Sequence, residues 1–156
     1  MADHESGWVV NAIEVAREIE RRGIALYKRA SRVASAEELR ALLLRLMDEE
    51  TTHLNYFESL ADTRARLDET SGSLASALAA EAYLPGGLMQ MAGEGAFESA
   101  DKLLDAAIKA ENDSIEFYGK LAGSAPDDVR ARIEEILDQE RAHLSELTGW
   151  KQGNAN

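Results

Sequence analysis

The chain has 156 residues, of which 45% are hydrophobic and 29% are charged, so it can form the core of one domain. Asp and Glu number 29 against 17 Lys and Arg, and the net charge of −12 argues against binding to nucleic acid or to an anionic membrane surface. The absence of cysteine excludes disulfides, thiolate catalysis, iron–sulfur clusters and a rubredoxin-like iron centre. The start lacks a signal-peptide pattern and no apolar run has the length of a membrane helix, so we expect residues 1–156 to form a single cytoplasmic domain.

Apolar residues recur at helical spacing in four stretches, and no alternating run supports a strand. We predict helices over about 8–33, 36–66, 98–122 and 127–147. Short turns separate the first from the second and the third from the fourth, so each pair should form an antiparallel hairpin. The connection of about 67–97, which is interrupted by glycines, is long enough to cross the bundle. The sequence therefore predicts an all-α fold, a four-helix bundle of about residues 8–148 in which a long crossover joins two helical hairpins.

The two halves of the chain repeat one another at an offset of 90 or 91 residues. The polar pairs that match are Glu20 with Glu111, Tyr27 with Tyr118, Glu50 with Glu140 and His53 with His143. Each of these residues continues an apolar stripe with steps of three and four, so each should point into the bundle. The glutamates of each hairpin lie equally far from its turn. Four glutamates and two histidines should therefore meet near the middle of the bundle.

A group of buried carboxylates repels itself and is costly to bury unless cations compensate its charge. Two divalent ions would balance four carboxylates, and each ion would gain one imidazole. Such donors suit iron or manganese, and zinc is compatible with them by ligand type. The alternative, a solvated polar face, requires the same pattern to arise by accident in both halves. We therefore predict a dinuclear metal site with the ligands Glu20, Glu50, His53, Glu111, Glu140 and His143.

These motifs resemble those of the ferritin-like superfamily, most closely its rubrerythrin-like branch of di-iron carboxylate proteins. The resemblance spans about residues 8–148 and implies the ferritin-like bundle with two iron ions. The runs that carry it are Ala107–Glu111, Glu116–Tyr118 and Glu140–His143, with Glu20–Tyr27 and Glu50–His53 in the first half. The implied roles are terminal ligands for Glu20 and Glu111, bridging ligands for Glu50 and Glu140, and completing ligands for His53 and His143. Tyr27 and Tyr118 resemble tyrosines that assist the reaction by hydrogen-bonding the ligands, and ordinary core aromatics are the alternative for both.

The chain departs from the family at three points. Rubrerythrins carry a further glutamate three residues after the third-helix ligand, where this chain has Ser114, with Gly23 at the repeat position. Rubrerythrins also append a cysteine-rich rubredoxin domain, and residues 1–156 contain no cysteine. The ligand set with two histidines is closer to that of bacterioferritin, but Thr51 and Thr52 stand where bacterioferritin has its haem-binding methionine, so we expect no haem.

The resemblance implies an oxidoreductase of the peroxidase or ferroxidase type, which reacts with peroxide or dioxygen and takes electrons from an external donor that the sequence does not name. A ferroxidase that stores or transfers iron is one alternative. A metal-stabilised helical module for interaction or sensing is another. Apolar residues in the crossover and the half-sized hairpins favour a homodimer.

Overall fold

The computed structural model describes residues 2–65 and 99–153, and four α-helices account for nearly all of them. These helices are α1 (Ala2–Val33), α2 (Glu37–Ala65), α3 (Ala100–Ser124) and α4 (Asp127–Gly153). The described ranges contain no strand. Helix α1 packs against α2, and α3 packs against α4, so the predicted all-α bundle of two helical hairpins is confirmed. None of the helices in these ranges combines the length and the apolar character of a membrane span.

Two contacts between the hairpins show how they are oriented. Tyr27 of α1 contacts Glu111 of α3, and Glu20 of α1 contacts Tyr118 of α3. Residue numbers that increase along α1 are thus paired with numbers that decrease along α3, so these two helices are antiparallel. Because α2 is antiparallel to α1 within the first hairpin, α2 and α3 run in the same direction. Helix α3 thus begins at the end of the bundle where α2 begins, as a crossover requires, although the predicted crossover of about 67–97 lies outside the described residues.

Two of the helices are longer than the sequence indicates. Helix α1 begins at Ala2 and not near Trp8, because a helix propagates through polar residues once it has a nucleus. Helix α4 continues past Leu147 to Gly153. The apolar pattern weakens after Leu147, but Trp150 packs against the core and extends the helix beyond the regular stripe.

Each hairpin turn is held by an arginine from the second helix of the pair. Arg40 donates from Nε to the carbonyl oxygen of Ser31 at 3.2 Å and from Nη2 to that of Ala34 at 2.9 Å. Arg130 makes the equivalent two bonds at the second turn, at 3.0 and 2.9 Å. The last carbonyl groups of a helix have no partner within it, and these guanidinium groups satisfy them. The two arginines therefore hold both hairpins in the same register.

Two apolar cores fill the two ends of the bundle. The core at the end of the α3–α4 turn includes Phe57 and Ile133, and the core at the end of the α1–α2 turn includes Leu26 and Leu104. Burying one such side chain contributes about 1.5–3 kcal/mol. The two cores together stabilise a bundle whose middle layer is polar.

Candidate metal centre

Six polar side chains, from all four helices, meet between the two apolar cores. They are Glu20 of α1, Glu50 and His53 of α2, Glu111 of α3, and Glu140 and His143 of α4, and we call them the buried cluster. None of them exposes more than 4% of its surface. The structure therefore brings together all six residues that the sequence selects, and their role as metal ligands stays a prediction.

The buried cluster divides into two groups, in each of which the potential ligand atoms lie within 4.8 Å of one another. The first group is Glu20, Glu50, His53 and Glu140, and the second is Glu50, Glu111, Glu140 and His143. Glu50 and Glu140, which we call the shared glutamates, belong to both groups, whereas the terminal glutamates, Glu20 and Glu111, belong to one each. Buried oxygen and nitrogen donors at this spacing could hold a metal ion.

The imidazole of His53 turns Nδ1 into the buried cluster and Nε2 outward. Its Nδ1 lies 3.2 Å from Oε1 of Glu140 and 3.6 Å from one oxygen each of Glu20 and Glu50. Its Nε2 lies 2.5 Å from Oε1 of Gln139, an amide oxygen that can only accept a hydrogen bond. Nε2 therefore donates outward, which leaves the lone pair of neutral Nδ1 available to a metal ion.

His143 is oriented in the same way from α4. Its Nδ1 lies 3.0 Å from Oε1 of Glu50, 3.4 Å from Oε2 of Glu140 and 3.5 Å from Oε1 of Glu111. Its Nε2 lies 2.5 Å from Oε2 of Glu49. The two imidazole rings face each other with centroids 6.0 Å apart and planes inclined by 20°. Both histidines thus present the same nitrogen to the centre of the cluster.

Several polar atoms of the buried cluster have no hydrogen-bond partner among the described residues. They are Oε2 of Glu20, Nδ1 of His53, Oε2 of Glu111 and both carboxyl oxygens of Glu140. Buried polar atoms in folded proteins are almost always paired, because an unpaired one costs about 1–3 kcal/mol. The unpaired atoms come from all four helices and belong to one cluster. A cation in contact with them would satisfy them together, so the donor set fits a metal.

Two buried tyrosines bind the terminal glutamates across the hairpins. Tyr118 donates to Oε1 of Glu20 at 2.5 Å, and Tyr27 donates to Oε1 of Glu111. Burial raises the pKa of both tyrosines well above the usual value, and the carboxylates around them raise it further, so the hydroxyls keep their protons. Each bond holds one carboxyl oxygen and leaves Oε2 unpaired. Both tyrosines therefore contact predicted ligands, and their part in a reaction stays a prediction.

Protons compensate for part of the negative charge when the cluster holds no metal. Burial raises the pKa of Glu20 and Glu111 well above the usual value, and the shared glutamates raise it further. Burial lowers the pKa of His53, but its interactions with Glu140 and the neighbouring carboxylates outweigh burial and raise this pKa to about 12. The pKa of His143 shifts in the same direction for the same reasons. Metal ions would displace these protons, so metal and protons compete for the cluster.

Gly23 and Ser114 occupy the positions where rubrerythrins carry a further glutamate or its repeat equivalent. Gly23 lies beside Glu50, and Ser114 lies one helical turn after Glu111. A Cβ atom added to Gly23 would lie 3.7 Å from the carboxyl group of Glu50. Ser114 is buried, and its hydroxyl donates to the carbonyl oxygen of Ala110 at 2.9 Å. Neither residue supplies a carboxylate, and the two groups of the cluster contain four glutamates among the described residues.

Glu49 and Gln139 are parts of the site that sequence reasoning missed. Each stands directly before a shared glutamate, at equivalent positions of the repeat, and each contacts the histidine of the opposite hairpin. Both lie outside the apolar stripes, so periodicity gives no sign of them. The one feature of the sequence that could have indicated their role is that they occupy equivalent positions of the repeat.

The structure establishes a four-helix bundle with a buried glutamate and histidine cluster that could bind metal. Comparison of the chain with protein-family models, with curated proteins and with solved structures gives no match. What the protein does is therefore inferred from the geometry and chemistry of its own buried cluster.

Proposed function

We propose that the chain is a ferritin-like dinuclear metal protein, an oxidoreductase that reacts with peroxide or dioxygen at two iron ions. The observation that supports it is the overlap of two ligand groups in the shared glutamates, Glu50 and Glu140. One terminal glutamate and one histidine complete each group. Four carboxylates balance the charge of two divalent ions, and the donor set suits iron, with manganese or zinc compatible.

The reaction needs electrons that glutamate, histidine and tyrosine do not supply. When bound, two ferrous ions supply two electrons, which is what the reduction of one peroxide molecule requires. Two protons complete the conversion of hydrogen peroxide into two water molecules. An external electron donor would have to replace these two electrons before the next turnover. The same electrons and protons would convert one dioxygen molecule into one hydrogen peroxide.

The side chains around the buried cluster orient the donors and exclude bulk water. The ring of Phe57 stacks on that of Tyr118 with centroids 5.6 Å apart and planes inclined by 9°, which fixes the hydroxyl that holds Glu20. Apolar cores lie on both sides of the cluster along the bundle. Donors that are held in place before the reaction need no reorganisation during it, and a site shielded from water strengthens their electrostatic effect.

The test is oxidation of metal-loaded protein under controlled conditions. We would load the protein with Fe²⁺ without oxygen, add stoichiometric peroxide or dioxygen, and follow the absorption of ferric iron. Turnover with an added reductant would be measured by consumption of the oxidant. Glu140→Ala is the test variant, and Glu134→Ala at an exposed position of α4 is its matched control, because it removes the same charge outside the cluster.

The outcomes separate the candidate functions. Repeated turnover in the wild type and in Glu134→Ala, but not in Glu140→Ala, would support the oxidoreductase. Oxidation that leaves ferric mineral inside a large particle would favour iron storage. Binding of metal without reaction towards either oxidant would favour a metal-stabilised module. Failure of the wild type to bind metal would overturn the proposal.

A further inference from the structure

The two halves of the buried cluster match closely at the inner nitrogen of each histidine. Nδ1 of His53 and Nδ1 of His143 each lie nearest to the shared glutamate of the other hairpin, at 3.2 and 3.0 Å. Each group also contains three carboxylates and one imidazole. A tyrosine holds the terminal glutamate in both. The inner contacts alone would therefore give two equivalent metal positions.

The outer contacts of the histidines break this symmetry. Nε2 of His53 donates to a neutral amide, that of Gln139, whereas Nε2 of His143 donates to a carboxylate, that of Glu49, both at 2.5 Å. The carboxylate is fixed from its other side, because Arg45 donates from Nη1 to Oε1 of Glu49 at 3.1 Å. Glu49 therefore offers one oxygen to the arginine and the other to the histidine.

The arginine does not cancel the charge of this outer group. Arg45 also pairs with Glu146, so one positive charge is shared between two carboxylates. Arg45, Glu49 and Glu146 together keep a net negative charge beside His143. On the other side, Gln139 carries no charge. The difference between the two positions is thus one hydrogen-bonded carboxylate against one hydrogen-bonded amide.

A carboxylate that accepts the outer N–H of a ligating histidine makes the imidazole a stronger donor to its metal, and it adds an attractive charge near the ion. We propose that Glu49 and Gln139 make the two metal positions unequal, so that the ion beside His143 binds first and more tightly than the ion beside His53. This inference rests on the proposed dinuclear site. Glu49 and Gln139 are positioning residues that act on the ions through the histidines.

The experiment uses Co²⁺ as the probe, in the full chain and without oxidant. A calorimetric titration gives the affinity of each binding step. The anomalous scattering of cobalt in crystals prepared with one equivalent gives the occupancy beside each histidine. We expect two separate steps in the wild type, with the higher occupancy at His143.

Three variants test the origin of the difference. Glu49→Gln should weaken the tighter step by roughly 10-fold or more and level the two occupancies, since loss of such an outer partner typically reduces metal affinity by about 10–100-fold. Gln139→Glu should strengthen the step at His53. The double variant Glu49→Gln/Gln139→Glu should reverse the occupancies. Glu134→Gln is the matched control, because it makes the same exchange at an exposed position of α4 that belongs neither to the buried cluster nor to the Arg45 group, and both steps should stay within about 2-fold of the wild type.

The occupancies separate the possible results. Reversal in the double variant would support the inference, because a variant that was merely damaged would lose cobalt at both positions. Two ions bound with equal occupancy in the wild type, or an unchanged order in the double variant, would overturn the inference and leave the dinuclear site standing. A wild type that binds no Co²⁺ would overturn the proposed function and this inference with it.

Discussion

The hydroxyl of Tyr118 donates a hydrogen bond to Oε1 of Glu20, a residue 98 positions earlier in the chain, at 2.5 Å. Tyr27 makes the equivalent bond to Glu111, 84 positions later. Each tyrosine therefore joins one hairpin to the other at the level of the buried cluster. Each also fixes one oxygen of a terminal glutamate and leaves the other unpaired. We therefore expect these two bonds to couple the stability of the bundle to the binding of metal.

Replacing either tyrosine by phenylalanine tests this link. Tyr118→Phe should lower the free energy of unfolding by about 1–3 kcal/mol, because an oxygen of Glu20 loses its buried donor. It should also weaken the binding of one ion, roughly 10–100-fold, because the ligand is no longer held in place. Denaturant unfolding and a Co²⁺ titration would measure the two effects. Tyr27→Phe should do the same for the other ion, and unchanged affinity in both variants would show that the tyrosines are ordinary core residues.

The shared and terminal glutamates should differ in how many ions depend on them. Glu50→Ala or Glu140→Ala should abolish the binding of both ions, because each shared glutamate belongs to both groups. Glu20→Ala should remove one ion and leave the other, held by the second group. Elemental analysis of dialysed, reconstituted protein would count the ions. A Glu50→Ala protein that keeps one ion would contradict the bridging role of that residue.

The hairpins and the buried cluster could be predicted from the sequence because both arise from local periodicity. Glu20 and Glu111 stand on apolar stripes where leucine is expected. Because the same substitution occurs in both halves of the chain, it indicates a shared role for these glutamates in the bundle. The contacts of Glu49 and Gln139 with the histidines could not be predicted, because they join different hairpins through residues outside those stripes. Trp150 was missed for a related reason, since it packs on the core beyond the last regular position.

Metal should raise the melting temperature, and the increase should depend on pH. In metal-free protein the terminal glutamates have a raised pKa, so their contribution to stability is full below their ordinary pKa of 4.5 and declines as pH rises through the raised value. The contribution of His53 is full below 6.5 and declines as pH rises towards its pKa of about 12. The affinity for metal instead increases as pH rises, because these groups bind metal only after they have lost their protons.

The gap in melting temperature between loaded and metal-free protein should therefore widen between about pH 5 and pH 9. Binding at a free-metal concentration of 100 times Kd adds about 2.7 kcal/mol to the free energy of unfolding. Calorimetric scans with Mn²⁺ or with a chelator across this range would measure the gap. A gap of zero throughout would contradict the proposed metal site, and a gap that narrows with rising pH would mean that protons and metal do not compete for the cluster.

Gly23 provides a probe of the space beside the shared glutamate Glu50. Gly119 of α3 is its matched control, because a Cβ there would meet no atom within 4 Å, whereas a Cβ on Gly23 would make ordinary contacts of 3.7 Å with Glu50. Glycine inside a helix costs about 0.5–1 kcal/mol relative to alanine, so Gly119→Ala should raise the free energy of unfolding by that amount with or without metal. Gly23→Ala should match it in metal-loaded protein, where cations compensate the carboxylate. In metal-free protein the gain from Gly23→Ala should be smaller, because the methyl group further shields Glu50 from water.

Thermal unfolding of both variants, each with Mn²⁺ and with chelator, would measure the difference. A Gly23→Ala protein that is destabilised when loaded, or that binds fewer ions than Gly119→Ala, would show that Glu50 needs this space to bind metal.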